Sequence, residues 1–181
     1  FVLGRRINSL SFSYSYFINE IDDIIIFIYN SRNTIIAQNI SGAEISGHEI
    51  SLESTVFNHL KVSGNLTLQE PIDKGDVSYY RGNYLPYRPR YEAFGSITLF
   101  NPFASLAWSI EHIGGSYRDR VNSDFYYINE RTLHTLVCRL MPLKGLELEF
   151  EAENIFDTMA FDRVGYPLPG RSFFTAVAYT F

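Results

Sequence analysis

The chain is expected to be all-β: an antiparallel, up-and-down meander of about eight strands with the facing of a transmembrane barrel. Three observations carry this expectation. Apolar and polar residues alternate with a period of two through most of the 181 residues. Aromatics reach 16%, with 13 Tyr and 15 Phe, while charged residues fall to 19%, a balance that suits strands and interfacial girdles. The connections also sort by length. Those after the second, fourth and sixth strands are a few residues long, and those after the third, fifth and seventh run to about 11–20. Short turns on one rim and long loops on the other are the asymmetry of membrane barrels.

The first strand is read from Leu10, Phe12, Tyr14, Tyr16 and Ile18, alternating with Ser9, Ser11, Ser13 and Ser15, and it runs on to residue 29. A turn is expected at 30–33. The second spans about 34–57, with a bend near Gly42 or Gly47, where glycine marks a bulge or kink. A tight hairpin at Asn58 and His59 leads into the third strand, 61–70. A polar loop then covers 71–90. The fourth strand, 91–100, alternates least cleanly, and 101–103 turns the chain into the fifth, where Leu106, Trp108 and Ile110 oppose Ser105, Ala107, Ser109 and Glu111. Past the loop 120–130 come the sixth strand, 131–140, and a turn at 142–145.

The last two strands are the clearest. In 146–153, Leu146, Leu148, Phe150 and Ala152 fall on one face and Glu147, Glu149, Glu151 and Glu153 on the other. In 172–181, Phe173, Thr175, Val177, Tyr179 and Phe181 share a side opposite Ser172, Ala176, Ala178 and Thr180, with Phe174 as the exception. A glutamate on the lipid side costs up to a few kcal/mol at mid-membrane, so the carboxylates are expected on a water-filled inner wall. Few cations alternate inward beside them; Lys61 is the clearest.

Other chemistry is sparse. Net charge is −5 and no basic run occurs, so nucleic acid is not an expected partner. The longest apolar run, 24–29, is too short for a membrane helix. Cys138 is the lone cysteine. His48, His59, His112 and His134 lack metal-ligand spacing, and no nucleophile triad, phosphate loop or zinc motif is present. No enzyme activity, cofactor or metal is therefore expected. Asp73 with Asp76, and Asp119 with Asp124, are read as solvated loop charge. Tyr14, Tyr16, Trp108 and Tyr179 are read as girdle residues. Arg88, Arg90, Arg118 and Arg120 stand beside long loops and are the candidate contacts for an anionic ligand.

Several stretches resemble one family, the TonB-dependent outer-membrane receptors. The run Glu153, Asn154, Ile155, Phe156, Asp157 resembles their "ENLFD" segment. The run Gly165, Tyr166, Pro167, Leu168, Pro169, Gly170, Arg171 resembles their "GYPxPGR" loop. Tyr179 and Phe181 match the aromatics of the C-terminal assembly signal, although Phe174 and Ala176 hold its polar and glycine positions. The segment 42–49 is similar to "GxExEGxE". The resemblance implies that 1–181 is the C-terminal segment of a 22-stranded barrel, with the plug domain absent from this chain. It further implies outer-membrane lipid, the barrel-assembly machinery and, through the plug, TonB as partners, and an iron chelate (siderophore or haem) or cobalamin as ligand. Phe1 is read as an internal position rather than a natural start. Two alternatives are a self-standing eight-stranded outer-membrane barrel of structural or adhesive role, and a soluble lipocalin-like ligand carrier.

Overall fold

The structure, a computed structural model, describes residues 7–29 and 34–181. The turn expected at 30–33 lies outside the described residues. The strands are β1 (Ile7–Tyr29), β2 (Ile35–Val56), β3 (Leu60–Asp73), β4 (Tyr91–Asn101), β5 (Ala104–Ile113), β6 (Ser116–Tyr117), β7 (Tyr127–Ile128), β8 (Arg131–Leu143), β9 (Leu146–Glu153), β10 (Phe161–Arg163), β11 (Tyr166–Pro167) and β12 (Ser172–Tyr179). Eight of them pair antiparallel in the order β1-β2-β3-β4-β5-β8-β9-β12. The eight-stranded meander read from the sequence is therefore present. The remaining four form two small hairpins inside the long loops, beside a 3₁₀ turn, Asp124–Tyr126. None of these was legible in the alternation.

Local chemistry sets the short turns. Phe57 and Asn58 both hold left-handed φ values, 53° and 58°, and the His59 N–H donates to the Val56 carbonyl at 3.2 Å. Two left-handed central residues match the right-handed strand twist of a tight hairpin. Between β4 and β5, the Asn101 side-chain oxygen accepts from the N–H groups of Phe103 (2.8 Å) and Ala104 (3.0 Å). Between β8 and β9, Gly145 has φ +83°, and a Cβ there would strike the Thr180 carbonyl. All three turns lie on the rim where β1 starts and β12 ends.

The register fixes the faces. Across the ladders, Leu10 stands in one row with Ser54, Val62, Ile97 and Trp108, and Tyr14 in another with Ile50, Leu66 and Ala93. Cys138, Phe150 and Thr175 share a row, as do Leu140, Leu148 and Val177. The opposite face carries Ser11, Glu53, Ser63, Ser96, Ser109 and Thr135 in one row, and Arg139, Glu149 and Ala176 in another. Leu10, Phe12, Tyr14, Val62, Leu66, Leu106, Trp108, Leu148, Phe150, Val177 and Tyr179 thus share one face, and Ser11, Ser13, Asn65, Ser109, Glu149 and Glu151 share the other. The apolar face is exposed, with Phe12 at 64% and Val177 at 68%. So extended an exposed apolar face is not what a monomeric water-soluble protein presents.

The polar face carries more cations than the sequence reading allowed. Arg139 pairs with Glu149 and, at 3.7 Å, with Glu147; Arg131 pairs with Glu111 at 2.5 Å and Asp162 at 2.7 Å; Lys61 pairs with Glu53 at 3.0 Å. Arg131 and Arg139 are not legible as inward cations from the alternation, because Leu133 and Val137 interrupt the polar face of β8.

β3 also departs from expectation. It continues through Pro71 to Asp73, paired with β2 to the end (Asp73 opposite Ala43). The Pro71 carbonyl accepts from Leu85 N–H at 2.8 Å, so its nitrogen points to that same side, away from β2. A proline is tolerated there because no ladder donor is lost.

β1 has 23 residues, against about 9–11 for a membrane strand, so roughly half of the β1–β2 hairpin projects beyond the band. Its inner face packs on a small core of Ile40, Ala43 and Leu85, with Ile21, Ile24, Ile26 and Ile45 against it. Ile21 opposes Ala43 and Ile24 opposes Ile40. Residues three apart normally face opposite ways, yet all four reach one core. Asp23, at φ +55° and accepting from the Asn39 amide at 3.1 Å, turns the strand between them. The expected bend is therefore found at the level of Gly42. At Gly47 pairing runs unbroken, and the missing side chain serves close approach: a Cβ would lie 2.8 Å from the Phe17 ring.

The sheet is open. β1 and β12 each have one neighbour and do not pair with each other, which disagrees with a self-closed eight-stranded barrel. Two unpaired edges cannot be satisfied in lipid. Residues 1–181 expressed alone in detergent are therefore expected to aggregate or stay unfolded. A heat-resistant, protease-protected monomer in vesicles would contradict this.

Candidate functional site

Two surfaces concentrate the chemistry: a belt on the apolar face and the long-loop rim. The belt follows from strand length. His48 lies eight residues before the end of β2 at Val56, Tyr91 ten before Asn101, His112 eight after Ala104, and His134 nine before Leu143. With a rise of about 3.3 Å and a barrel-like tilt of about 40°, they sit roughly 20–25 Å above the short-turn rim, near the top of a lipid-facing band. The imidazoles pack on aromatics: His48 stacks on Tyr14 and meets Tyr16 at a tilt, His112 stacks on Tyr91, and His134 stacks on Trp108 and meets the edge of Phe156. Amphipathic rings suit the headgroup level. Phe103, Tyr179 and Phe181 mark the short-turn rim, where the Tyr179 and Phe181 rings meet edge to face. The four histidines do not converge, and no group of three metal-ligating side chains occurs among the described residues.

The long loops after β3 and β5 are clamped together. Arg120, 5% exposed, and Asp73, 1% exposed, form a two-contact ion pair (2.7 and 2.8 Å). The other Asp73 oxygen accepts from Gly75 N–H at 2.8 Å, and the Arg120 guanidinium lies over the Tyr80 ring at 4.3 Å. Around this pair, the Asn83 amide donates to the Arg120 carbonyl (2.7 Å), Tyr84 N–H donates to the Asn122 side chain (2.7 Å), and the Asn122 amide donates back to the Tyr84 carbonyl (3.0 Å). Asp73 is thus not solvated loop charge, as its sequence context suggested. Arg120, a ligand-contact candidate from sequence, is withdrawn from solvent and belongs to the scaffold. Asp119 likewise acts locally, accepting from Val121 and Ser123 N–H groups.

The other arginines remain on the surface. Arg88 and Arg90 are exposed and Arg118 is half-buried. Arg90 reaches Glu70 at 3.5 Å and lies over Tyr84, and Arg118 lies over Tyr126. The structure places Arg88, Arg90 and Arg118 on the same rim but does not gather them around one cavity.

The stretch 153–171, singled out by resemblance, is a loop-closing device. Asn154 is buried and left-handed (φ +47°). Its amide donates to the carbonyls of Thr158 (3.0 Å) and Pro169 (3.2 Å), and its oxygen accepts from Thr158 N–H (2.9 Å). The Asp157 carboxylate accepts from Arg171 N–H at 2.9 Å, and a Cβ on Gly170 would lie 2.8 Å from that carboxylate. Glu153 pairs with Ser172 where the loop begins and ends. Phe156 sets its ring edge on His134, while Gly165 (φ +84°) turns the β10–β11 hairpin that ends in Tyr166 and Pro167. Leu168, Pro169 and Gly170 then line a recess of about 280 Å³ on the polar face with Phe94, Leu133 and Glu111.

Residues 3–168 match the family described as TonB dependent receptor-like, beta-barrel. No curated protein matches the chain. Among solved structures, the siderophore receptor PiuA from Acinetobacter baumannii is similar at TM-score 0.78 and 19% identity, over 95% of this chain and 26% of that one. The copper transporter OprC is similar at TM-score 0.78 and 21% identity, over 96% and 28%. A mutant of the ferric enterobactin receptor PfeA from Pseudomonas aeruginosa follows at 0.73 and 23%, over 96% and 29%. At these identities the likeness is one of fold, and the chain spans little more than a quarter of each.

Proposed function

Because this chain belongs to the TonB-dependent receptor-like β-barrel family, we propose that it supplies the C-terminal eight strands of an outer-membrane receptor for a scarce iron chelate, siderophore or haem, or for cobalamin. The observation that carries this reading is the pairing of two unlike faces on one open sheet: an exposed apolar face with an aromatic belt, and a face of serines, glutamates and ion pairs. The membrane face holds the barrel in lipid, the polar face lines a wet interior, and the clamped loops stand where an external ligand arrives. Energy for release comes from TonB acting through a plug domain outside this chain. Tyr179 and Phe181, exposed at the short-turn rim, are the proposed signal for the barrel-assembly machinery.

Arg88 and Arg118 are the proposed contacts for an anionic chelate; Arg90, the third candidate on this rim, lines a groove on the apolar face instead. In the intact receptor, Arg88→Ala and Arg118→Ala should each weaken binding of the cognate ligand about two- to fivefold, the scale of an exposed charge contact. Lys144→Ala, on the opposite rim, should not. Binding titrations with ferric chelates, haem and cobalamin would test this. Binding of none of them, or an equal loss with Lys144→Ala, would contradict it.

A further inference from the structure

One groove faces away from any route through the barrel. It measures about 540 Å³ and is lined by Tyr16, His48, Leu68, Glu70, Arg90 and Tyr91, among others. Tyr16, His48, Leu68 and Tyr91 form a single row across β1–β4, on the face opposite the glutamates. The groove lies at the upper belt, where β3 and β4 part company above the Leu68–Tyr91 pair.

Its chemistry changes with height. Below it the face is apolar, with Tyr14, Ile50 and Leu66 in the next row. Its upper edge is ionic: Arg90 and Glu70 are 3.5 Å apart, with side chains 53% and 63% exposed. A long, exposed pair of this kind contributes little, and the Tyr84 ring under the guanidinium engages its face and leaves its N–H fork able to change partner. A phosphate accepts the planar guanidinium fork through two parallel hydrogen bonds, a stronger contact. His48 supplies a second polar group, its ring held by the tilted ring of Tyr16 and by the Tyr14 hydroxyl at 2.9 Å. The Tyr91 hydroxyl is bonded to Glu130, so Tyr91 offers its ring rather than a donor.

Resting on the membrane reading above, we propose that this groove holds a membrane lipid by its headgroup phosphate. Arg90 takes the phosphate, His48 adds a hydrogen bond, and the acyl chains run down the Tyr14–Ile50–Leu66 row. Glu70 is the resident competitor for Arg90. The expected signature is therefore two opposite effects at neighbouring positions.

The test uses the intact receptor, delipidated in mild detergent and followed by native mass spectrometry. The probes are phosphatidylglycerol, diacylglycerol with the same chains, and inorganic phosphate. Phosphatidylglycerol should be retained and diacylglycerol should not. Arg90→Gln should weaken retention about tenfold, the scale of lost charge-assisted hydrogen bonds, and Glu70→Gln should strengthen it. Unchanged retention in Arg90→Gln, equal retention of diacylglycerol, weaker retention in Glu70→Gln, or displacement by inorganic phosphate at equal concentration would each overturn the proposal. Insertion into vesicles, scored by protease protection, is measured on the same samples. Failure there would count against the membrane reading, whereas normal insertion without lipid preference would count against the groove alone.

Discussion

Arg120→Leu in the intact receptor is expected to open the clamp between the two long loops at a cost of about 3–5 kcal/mol, the penalty of leaving a buried charge without its partner. Asp73 would remain almost fully buried with one Gly75 hydrogen bond and no counter-ion. The loss should be local, because the clamp joins loops rather than membrane strands. Limited trypsin digestion should then cut at Arg81, while the barrel keeps its resistance to heat. The double variant Asp73→Asn with Arg120→Gln should recover part of the loss, since it buries no charge and Asn keeps an acceptor for Gly75 N–H. Equal protease resistance of wild type and Arg120→Leu would remove the clamp from the account.

Phe150→Arg is the second large effect. Phe150 stands on the apolar face between Cys138 and Thr175, and arginine near the membrane midplane costs roughly 2–4 kcal/mol. Folding of the receptor into bilayers should be impaired by about that amount. Glu149→Gln, one residue away, places a neutral polar group on the polar face and should be nearly silent beyond its contact with Arg139. The comparison matters more than either value. Equal effects at the two positions would mean that the faces are assigned wrongly.

Period-two alternation was legible because a strand between lipid and water must choose its residues by turns. Leu148 and Glu149 declare their faces without help from any neighbour. The features that were not legible depend on partners distant in sequence. Asp73 and Arg120 are 47 residues apart, and nothing local distinguishes them from solvated loop charges. Whether Pro71 ends a strand depends on which edge its nitrogen faces, and only pairing with β2 decides that. Asn154, Asp157 and Gly170 were legible as a family signature. Their physical reason, a buried amide and a carboxylate closing one loop, needs the folded chain.

The central claim, that one face of this sheet meets lipid and the other meets water, is tested most directly by cysteine accessibility. In the intact receptor carrying Cys138→Ser, single cysteines are placed through 146–153 and 172–179. They are then exposed in vesicles to a charged maleimide, and to a nitroxide quencher carried on lipid chains. The account predicts reaction with the maleimide at 147, 149, 151, 176 and 178, and protection from it with lipid quenching at 148, 150, 175 and 177. Labelling that does not alternate, or that alternates in the opposite phase, would contradict it.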